Sequence, residues 1–227
     1  MIHWNPIAGW MGFPHLSRSQ GITHSYTLTY KLTDKTGEAW TSRMIRFKNK
    51  DKAAIYGGGR LLYSAVPALI EAVGVDVDDT TFVAALSSGE TKADPDRAIP
   101  YFATECAGMV GTQSDIGALS KKVHQKIHNF YSAEQRDAEL EKAEYQAKKL
   151  DAEHVFVFDD FITRGATLSK IATAILEKNP KAKVYGLALA KAERVDWCPN
   201  PDNDHVPAKW DKVWQQGEQE AAGVKKG

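Results

Sequence analysis

Two adjacent carboxylates, Asp159 and Asp160, stand where an apolar run ends in the stretch HVFVFDDFITRGATLSK (154–170). A few residues on, Thr163, Arg164, Gly165, Ala166 and Thr167 make a Thr-x-Gly-x-Thr turn that opens a helical pattern. Backbone N–H groups at such a helix start, at the positive end of its dipole, form a seat for phosphate. Thr163 and Thr167 add hydroxyl donors, and Gly165 lets the backbone approach an anion with no side chain between. Arg164 adds a charge that could reach a phosphate or, equally, solvent. The acid pair would repel the same phosphate. At its remove it suits the vicinal hydroxyls of a ribose, or a hydrated Mg2+ beside it. Phosphate at one end and a diol at the other describe a ribose 5-phosphate. The plain alternative is an acidic pair that merely caps a helix and offsets its dipole.

Rival phosphate motifs are poor. No segment supplies the G-x-x-x-x-G-K-[ST] of a Walker A loop. A phosphatase of the haloacid dehalogenase type wants its second acid two residues after the first, and that position is Phe161.

Positioning these groups needs a strand before them and a helix after them. Residues 154–158 read as a buried strand, and Leu168, Ile171, Ala172, Ile175 and Leu176 form one helical stripe, ended by Asn179 and Pro180. KVYGLALAKAER supplies another buried strand. TTFVAALSSGETKADPDR reads as a short apolar strand running into a polar loop. YTLTYKL and AWTSRMIRF alternate like strands about the turn-rich TDKTGE, which predicts a hairpin. KNKDKAA and YGGGR lead into a helix over LLYSAVPALIEAVG that starts or kinks near Pro67. AIPYFATECAGMVG and SDIGALSKKVHQKIHNF read as helices separated by Gly111. SAEQRDAELEKAEYQAKKL reads as a charged helix opened by the capping box of Ser132 and Gln135. Apolar strands alternating with amphipathic helices argue for an α/β chain with a doubly wound, mainly parallel sheet, whose ligands bind beyond the carboxyl ends of the strands. The organisation expected is an N-terminal arm (1–25), a main domain (26–196) and a polar tail containing Trp210 and Trp214 (197–227).

Bulk properties narrow the classes. The 227 residues suffice for one sizeable core. With 29 basic and 29 acidic residues there is no global field for nucleic acid or anionic membrane. Cys106 and Cys198 form no C-x-x-C pair, which argues against a disulfide framework or Cys-rich zinc site and for a reducing, cytoplasmic setting. Cys106, on an apolar helix face, reads as a core residue, and His124 and His128 read as surface or structural groups. The N-terminus lacks the features of a signal peptide. No apolar run approaches the roughly 20 residues of a membrane span.

The stretch 155–167 resembles the phosphoribosyl-pyrophosphate (PRPP) signature of type I phosphoribosyltransferases: four apolar residues, two acids, two apolar residues, then T-[TS]-G-x-[TS]. Arg164 departs from it, replacing a small hydroxyl residue with a guanidinium. Within that superfamily RMIRFKNKDKAA, DRAIPYFATECAG and LSKKVHQKIHNFYSAEQRDAELEKAEYQA resemble the ComF-type, competence-associated branch. The likeness covers about residues 40 to 192, without that branch's N-terminal Cys-type zinc module. The Trp-rich tail has no counterpart in the branch.

The resemblance implies the type I phosphoribosyltransferase fold with a small hood. It implies Asp159 and Asp160 as the catalytic pair holding the ribose hydroxyls, and Thr163, Arg164, Gly165, Ala166 and Thr167 around the 5-phosphate. The pyrophosphate loop falls at 86–92, with Ser87, Ser88 and Gly89 as donors and Lys92 or Arg97 as the positive charge; an ordinary surface turn is the alternative. The basic run KKVHQK (121–126) belongs to the hood or is a solvated helix face. Mg2+ is the implied cofactor, arriving through PRPP and touching Asp159 or Asp160 at most. PRPP is the small-molecule partner, no membrane is expected, nucleic acid is disfavoured, and a homodimer stays open. The activity implied is transfer of ribose 5-phosphate to a nucleobase-like acceptor with release of pyrophosphate. The competing expectations are a PRPP or nucleotide sensor without turnover, and an accessory protein of competence (DNA uptake).

Overall fold

The computed structural model describes residues 4–198 and 206–223, and of His128 the backbone alone. The chain runs β1 (Asn5–Ile7), β2 (Trp10–Phe13), β3 (His24–Leu32), α1 (Ala39–Lys48), α2 (Lys52–Val73), β4 (Thr80–Ala84), α3 (Ala98–Val110) and β5 (Gln113–Ser114). It continues through β6 (Leu119–Ser120), a short 3-10 turn (Ile127–Asn129), α4 (Ala133–Glu141) and β7 (Gln146–Ala147). It closes with β8 (His154–Ile162), α5 (Ala166–Lys178), β9 (Lys183–Glu193) and α6 (Lys209–Gly223).

One sheet orders its strands β1-β2-β3-β9-β8-β4-β5, parallel from β3 to β5 and antiparallel in the N-terminal hairpin. The chain is therefore α/β, with a mostly parallel sheet between helices. β8 and β9 are apolar on both faces because both faces are covered, as a parallel sheet requires. The crossover β3→β4 and the crossover β8→β9 run in opposite directions along the sheet. Right-handed connections then put their helices on opposite faces. α1, α2 and α3 cover one face with α6 laid on α2, while α5 covers the other beside α4 and β7. β6 and β7 make a small antiparallel ribbon of their own.

The predicted hairpin of YTLTYKL and AWTSRMIRF does not form. β3 is a strand, but AWTSRMIRF is α1, because Glu38 caps it by accepting from the Trp40 and Thr41 amides at 2.9 and 2.8 Å. Trp40, Met44 and Phe47 then fall on one buried helical stripe. β3 instead takes its antiparallel partner from β2, in the arm whose sequence shows no period. Trp10, Met11 and Phe13 of that arm belong to the main core.

YGGGR lies inside α2, not before it. Asp51 caps this 22-residue helix by accepting from the Ala54 amide, and the helix runs through Pro67 to an αL glycine, Gly74. The three glycines give room. A methyl at Gly57 would meet the Trp214 ring at 2.6 Å, at Gly58 Phe47 at 2.8 Å, and at Gly59 Phe102 at 2.8 Å. Each glycine costs about 1 kcal/mol of helix propensity, offset here by close approach of three neighbouring elements.

SDIGALSKKVHQKIHNF is not a helix. Its buried residues Ala118 and Leu119 are adjacent rather than helically spaced, and its backbone pairs outward, Lys121 N–H to Thr91 O at 3.0 Å and Lys148 N–H to Ala118 O at 2.9 Å. α4 keeps its capping box but stops at Glu141, since Glu144 takes a positive φ of 46° and Lys122 donates to Ala143 O at 2.7 Å. α3 and β4 form where expected. β8 runs longer than 154–158, carrying the acid pair within its last residues. In the tail Trp210 and Trp214 are buried by α6, and residues 199–205 and 224–227 lie outside the described residues. Cys106 and Cys198 are buried free thiols. Among the described residues no helix is long and apolar enough to cross a membrane.

Candidate functional site

β4 and β8 are neighbours in the sheet, yet their exits diverge. β4 leads outward through α3 to β5, and β8 leads the other way through α5 to β9. Divergent exits open a crevice beyond the carboxyl ends of two strands, the position where open α/β sheets bind ligands. Asp159 and Asp160 end β8, and the loop 85–97 leaves β4 beside them, tied by the Ala85 amide donating to Phe158 O at 2.8 Å. An apolar depression lined by Pro67, Ile70, Val77 and Met109 lies at the opposite edge, where the strands begin.

Strand alternation starts the two side chains toward opposite faces, yet at the end of β8 their carboxyl groups stay within hydrogen-bond reach of each other and share the charge of Lys48. Asp160 pairs with Lys48 at the end of α1, and Lys48 also lies 5.4 Å over the Phe161 ring. The charge of Asp159 reaches Tyr145. The Asp159 carboxylate accepts from the Asp160 amide at 2.8 Å. Burial first, then the neighbouring Asp160 charge, push its pKa up to about 8, with Lys48 opposing.

This sets a stability prediction. A carboxyl held above its unfolded value binds a proton more readily in the folded chain, so folding stability falls as pH rises from about 4 toward 8. Asp159→Asn removes that loss. The variant is expected to gain about 1–2 kcal/mol over wild type at pH 8 and almost nothing at pH 4, the full shift being discounted because Asp159 is only half-buried and solvent screens it. Urea melts at the two pH values check it; equal differences at both would refute it.

The turn after β8 is held from outside. Arg18 N–H donates to Arg164 O at 2.9 Å, Ser169 Oγ exchanges hydrogen bonds with the backbone of Gln20, and Arg18 pairs with Asp137 of α4. Gly165 sits at φ 85°, and a methyl there would also meet Ser19 Cβ at 3.1 Å, so both backbone and space require glycine. No side chain caps α5, which leaves the amides at Ala166 and Thr167 without a capping acceptor. Thr163 and Arg164 are exposed, Thr167 is half-buried, and the Arg164 guanidinium makes no ion pair.

The loop after β4 is equally fixed. His124 N–H donates to Ser88 O at 3.1 Å, and Lys92 bridges Ser120. Ser87 and Gly89 are exposed. Lys92 is exposed and its side chain binds nothing nearby, whereas Arg97 is held by Glu90 and by Ala85 O at 3.4 Å. In the 121–126 run Lys121 alone is buried, donating to Ser88 O at 3.0 Å and Lys122 O at 3.1 Å; burial lowers its pKa, with the Glu90 charge opposing in part. His124 bonds its neighbour's carbonyl, Gln125 O, at 2.7 Å.

Sequence reasoning missed four groups of this edge. Lys48 was hidden by the misread of α1. Glu90 lay in plain view inside the loop. Tyr145, on the entry to β7, has a buried hydroxyl without a hydrogen-bond partner, and burial, then Asp159 and Glu90, raise its pKa. Lys191 is fully buried opposite Ile162 and 3.2 Å from Glu193; burial lowers its pKa, and the Arg164 charge adds to that. Its signal was legible as the lone charge in the apolar run YGLALAKA. Among the described residues no three metal-ligating side chains gather at one point. Neither a scan against protein-family models nor a search of curated proteins finds a match for this chain.

Proposed function

We propose that the chain binds PRPP at the crevice between β4 and β8 and transfers its ribose 5-phosphate to a nucleobase-like acceptor, as a phosphoribosyltransferase of type I architecture. The observation that carries the reading is the convergence at one switch point of the adjacent acids Asp159 and Asp160, the first with raised proton affinity, and an uncapped helix start. On this reading the ribbon β6–β7 with α4 is the hood. The Ala166 and Thr167 amides and the Thr163 and Thr167 hydroxyls hold the 5-phosphate, with Lys191 adding positive charge beneath the turn. Asp159 accepts from the ribose hydroxyls. The C1–O bond breaks with its electron pair leaving on pyrophosphate, a bond forms from C1 to the acceptor's nucleophilic atom, and the acceptor's proton passes to solvent. The chain's part is to orient the sugar and stabilise the cationic C1 by the carboxylate field.

Mg2+ takes hard oxygen ligands, and when bound it neutralises charge on the leaving pyrophosphate. Asp159 and Asp160, adjacent carboxyls within the last residues of β8, are oxygen donors of the kind such an ion takes and would hold it. A second reading, binding without turnover as a sensor, is favoured by Arg164, which is exposed and unpaired where the family places a hydroxyl donor.

Calorimetry of PRPP with Mg2+, followed by a pyrophosphate-release assay against a panel of bases, tests both. Binding with release supports the transferase, and binding with no release from any base supports the sensor. No binding to the folded chain removes the ribose-phosphate site and leaves an interaction protein, such as a competence accessory factor.

A further inference from the structure

The donors expected to hold pyrophosphate already hold an anion. Glu90 Oε2 accepts from the Ser87 amide at 2.6 Å and takes the Arg97 guanidinium on the same oxygen. Its side chain is 15% exposed, and its charge is also felt by the Lys121 ammonium. We propose that the Glu90 carboxylate is an internal anion seated in the pyrophosphate position of the loop, and that it sets the protein's discrimination between ribose phosphates with and without a pyrophosphate. This rests on the ribose-phosphate reading above.

A role as a structural pin explains the contacts less well. The loop turn closes through its own backbone, Glu90 N–H to Ser87 O at 3.0 Å. It is fastened again by Lys121 N–H to Thr91 O, by His124 N–H to Ser88 O and by the Lys92–Ser120 bridge. None of these uses the Glu90 charge. What the charge does is occupy an amide and a guanidinium of the loop that borders the crevice, within reach of the unpartnered Tyr145 hydroxyl. An incoming pyrophosphate meets like charge at contact distance and must displace it from both donors. A ligand bearing only a 5-phosphate, seated at α5, does not.

Glu90→Gln keeps an acceptor for the Ser87 amide and removes the charge. The full chain, wild type and variant, is titrated by calorimetry with inorganic pyrophosphate, ribose 5-phosphate and PRPP, each with Mg2+. Pyrophosphate and PRPP are expected to bind Glu90→Gln about tenfold tighter or more, with ribose 5-phosphate within about twofold of wild type. Arg97→Gln, which removes the opposite charge from the same seat, is expected to weaken pyrophosphate about tenfold. Pyrophosphate binding that is unchanged or weaker in Glu90→Gln, or absent from both proteins, overturns the proposal. The ribose 5-phosphate titration reads the other question: if neither protein binds it while pyrophosphate still responds to Glu90, the ribose-phosphate reading fails and the seated anion stands.

Discussion

A chain carrying Asp159→Asn and Asp160→Asn together is expected to bind PRPP at least about a hundredfold more weakly than wild type while staying folded. At pH 9, above the Asp159 pKa of about 8, both acids are ionised, and each carboxylate lost removes charge-assisted hydrogen bonds worth about 1.5–3 kcal/mol, where about 2.7 kcal/mol is a hundredfold in affinity. The fold has little to lose. Asp159 is held half-buried at the cost of a raised pKa, and the Asp160–Lys48 pair involves an exposed lysine, a class of contact worth little. A loss of binding with an unchanged or raised melting temperature therefore reports the site, not unfolding. The single variants divide the effect unequally. Asp160 is committed to an ion pair with Lys48, whereas Asp159 makes none and its charge reaches Tyr145, so Asp159→Asn is expected to account for the larger share. A double variant that binds PRPP within about threefold of wild type would reduce the pair to helix-end electrostatics.

Much of this edge was written in local pattern. The run VFVF ahead of two acids, the Thr-Gly turn and the stripe from Leu168 to Ile175 each follow from nearest-neighbour rules, and β8, the turn and α5 form accordingly. β4 and α3 were legible for the same reason. What stayed hidden depends on partners distant in sequence. AWTSRMIRF satisfies either period until Glu38 caps it and Phe47 finds the space left by Gly58. The arm shows no period because β2 is short and buried throughout, and its place is fixed by pairing with β3 and by the Trp10 indole donating to Ala65 O at 3.0 Å. The segment 114–130 carries helix-forming residues but spends its backbone on the loop after β4, a tertiary override of propensity. The site divides the same way: its acids and turn were visible in one stretch, while Lys48, Tyr145 and Glu90 acquire meaning only where separate loops meet.

Removal of the Trp214 side chain is expected to be the most damaging single change to the fold. Trp214 is wholly buried between α6 and α2, edge-on to Trp40 at 5.8 Å and 85°, and its ring fills the notch left by Gly57. The helices approach so closely that a methyl on Gly217 would meet Tyr56 O at 2.5 Å and the Gly57 Cα at 2.8 Å. Nothing else fills that volume, so Trp214→Ala combines lost transfer energy with a cavity and is expected to cost about 3–5 kcal/mol in a urea melt. That is a large part of the 5–15 kcal/mol typical of a domain. Trp214→Phe separates packing from polarity. The indole N–H is buried without a hydrogen-bond partner, so replacing it forfeits some area but relieves an unsatisfied donor, and the cost should be less than half that of alanine. Gly217→Ala attacks the same contact from the other side, forcing α6 off α2 because the obstruction is backbone and cannot rotate away, at about 1–3 kcal/mol. A Trp214→Ala loss below about 1 kcal/mol would mean that α6 does not dock in solution. Because α1 packs on α2 and carries Lys48 to Asp160, a loosened α2 is also expected to weaken PRPP binding in Trp214→Ala, though less than loss of the acids themselves.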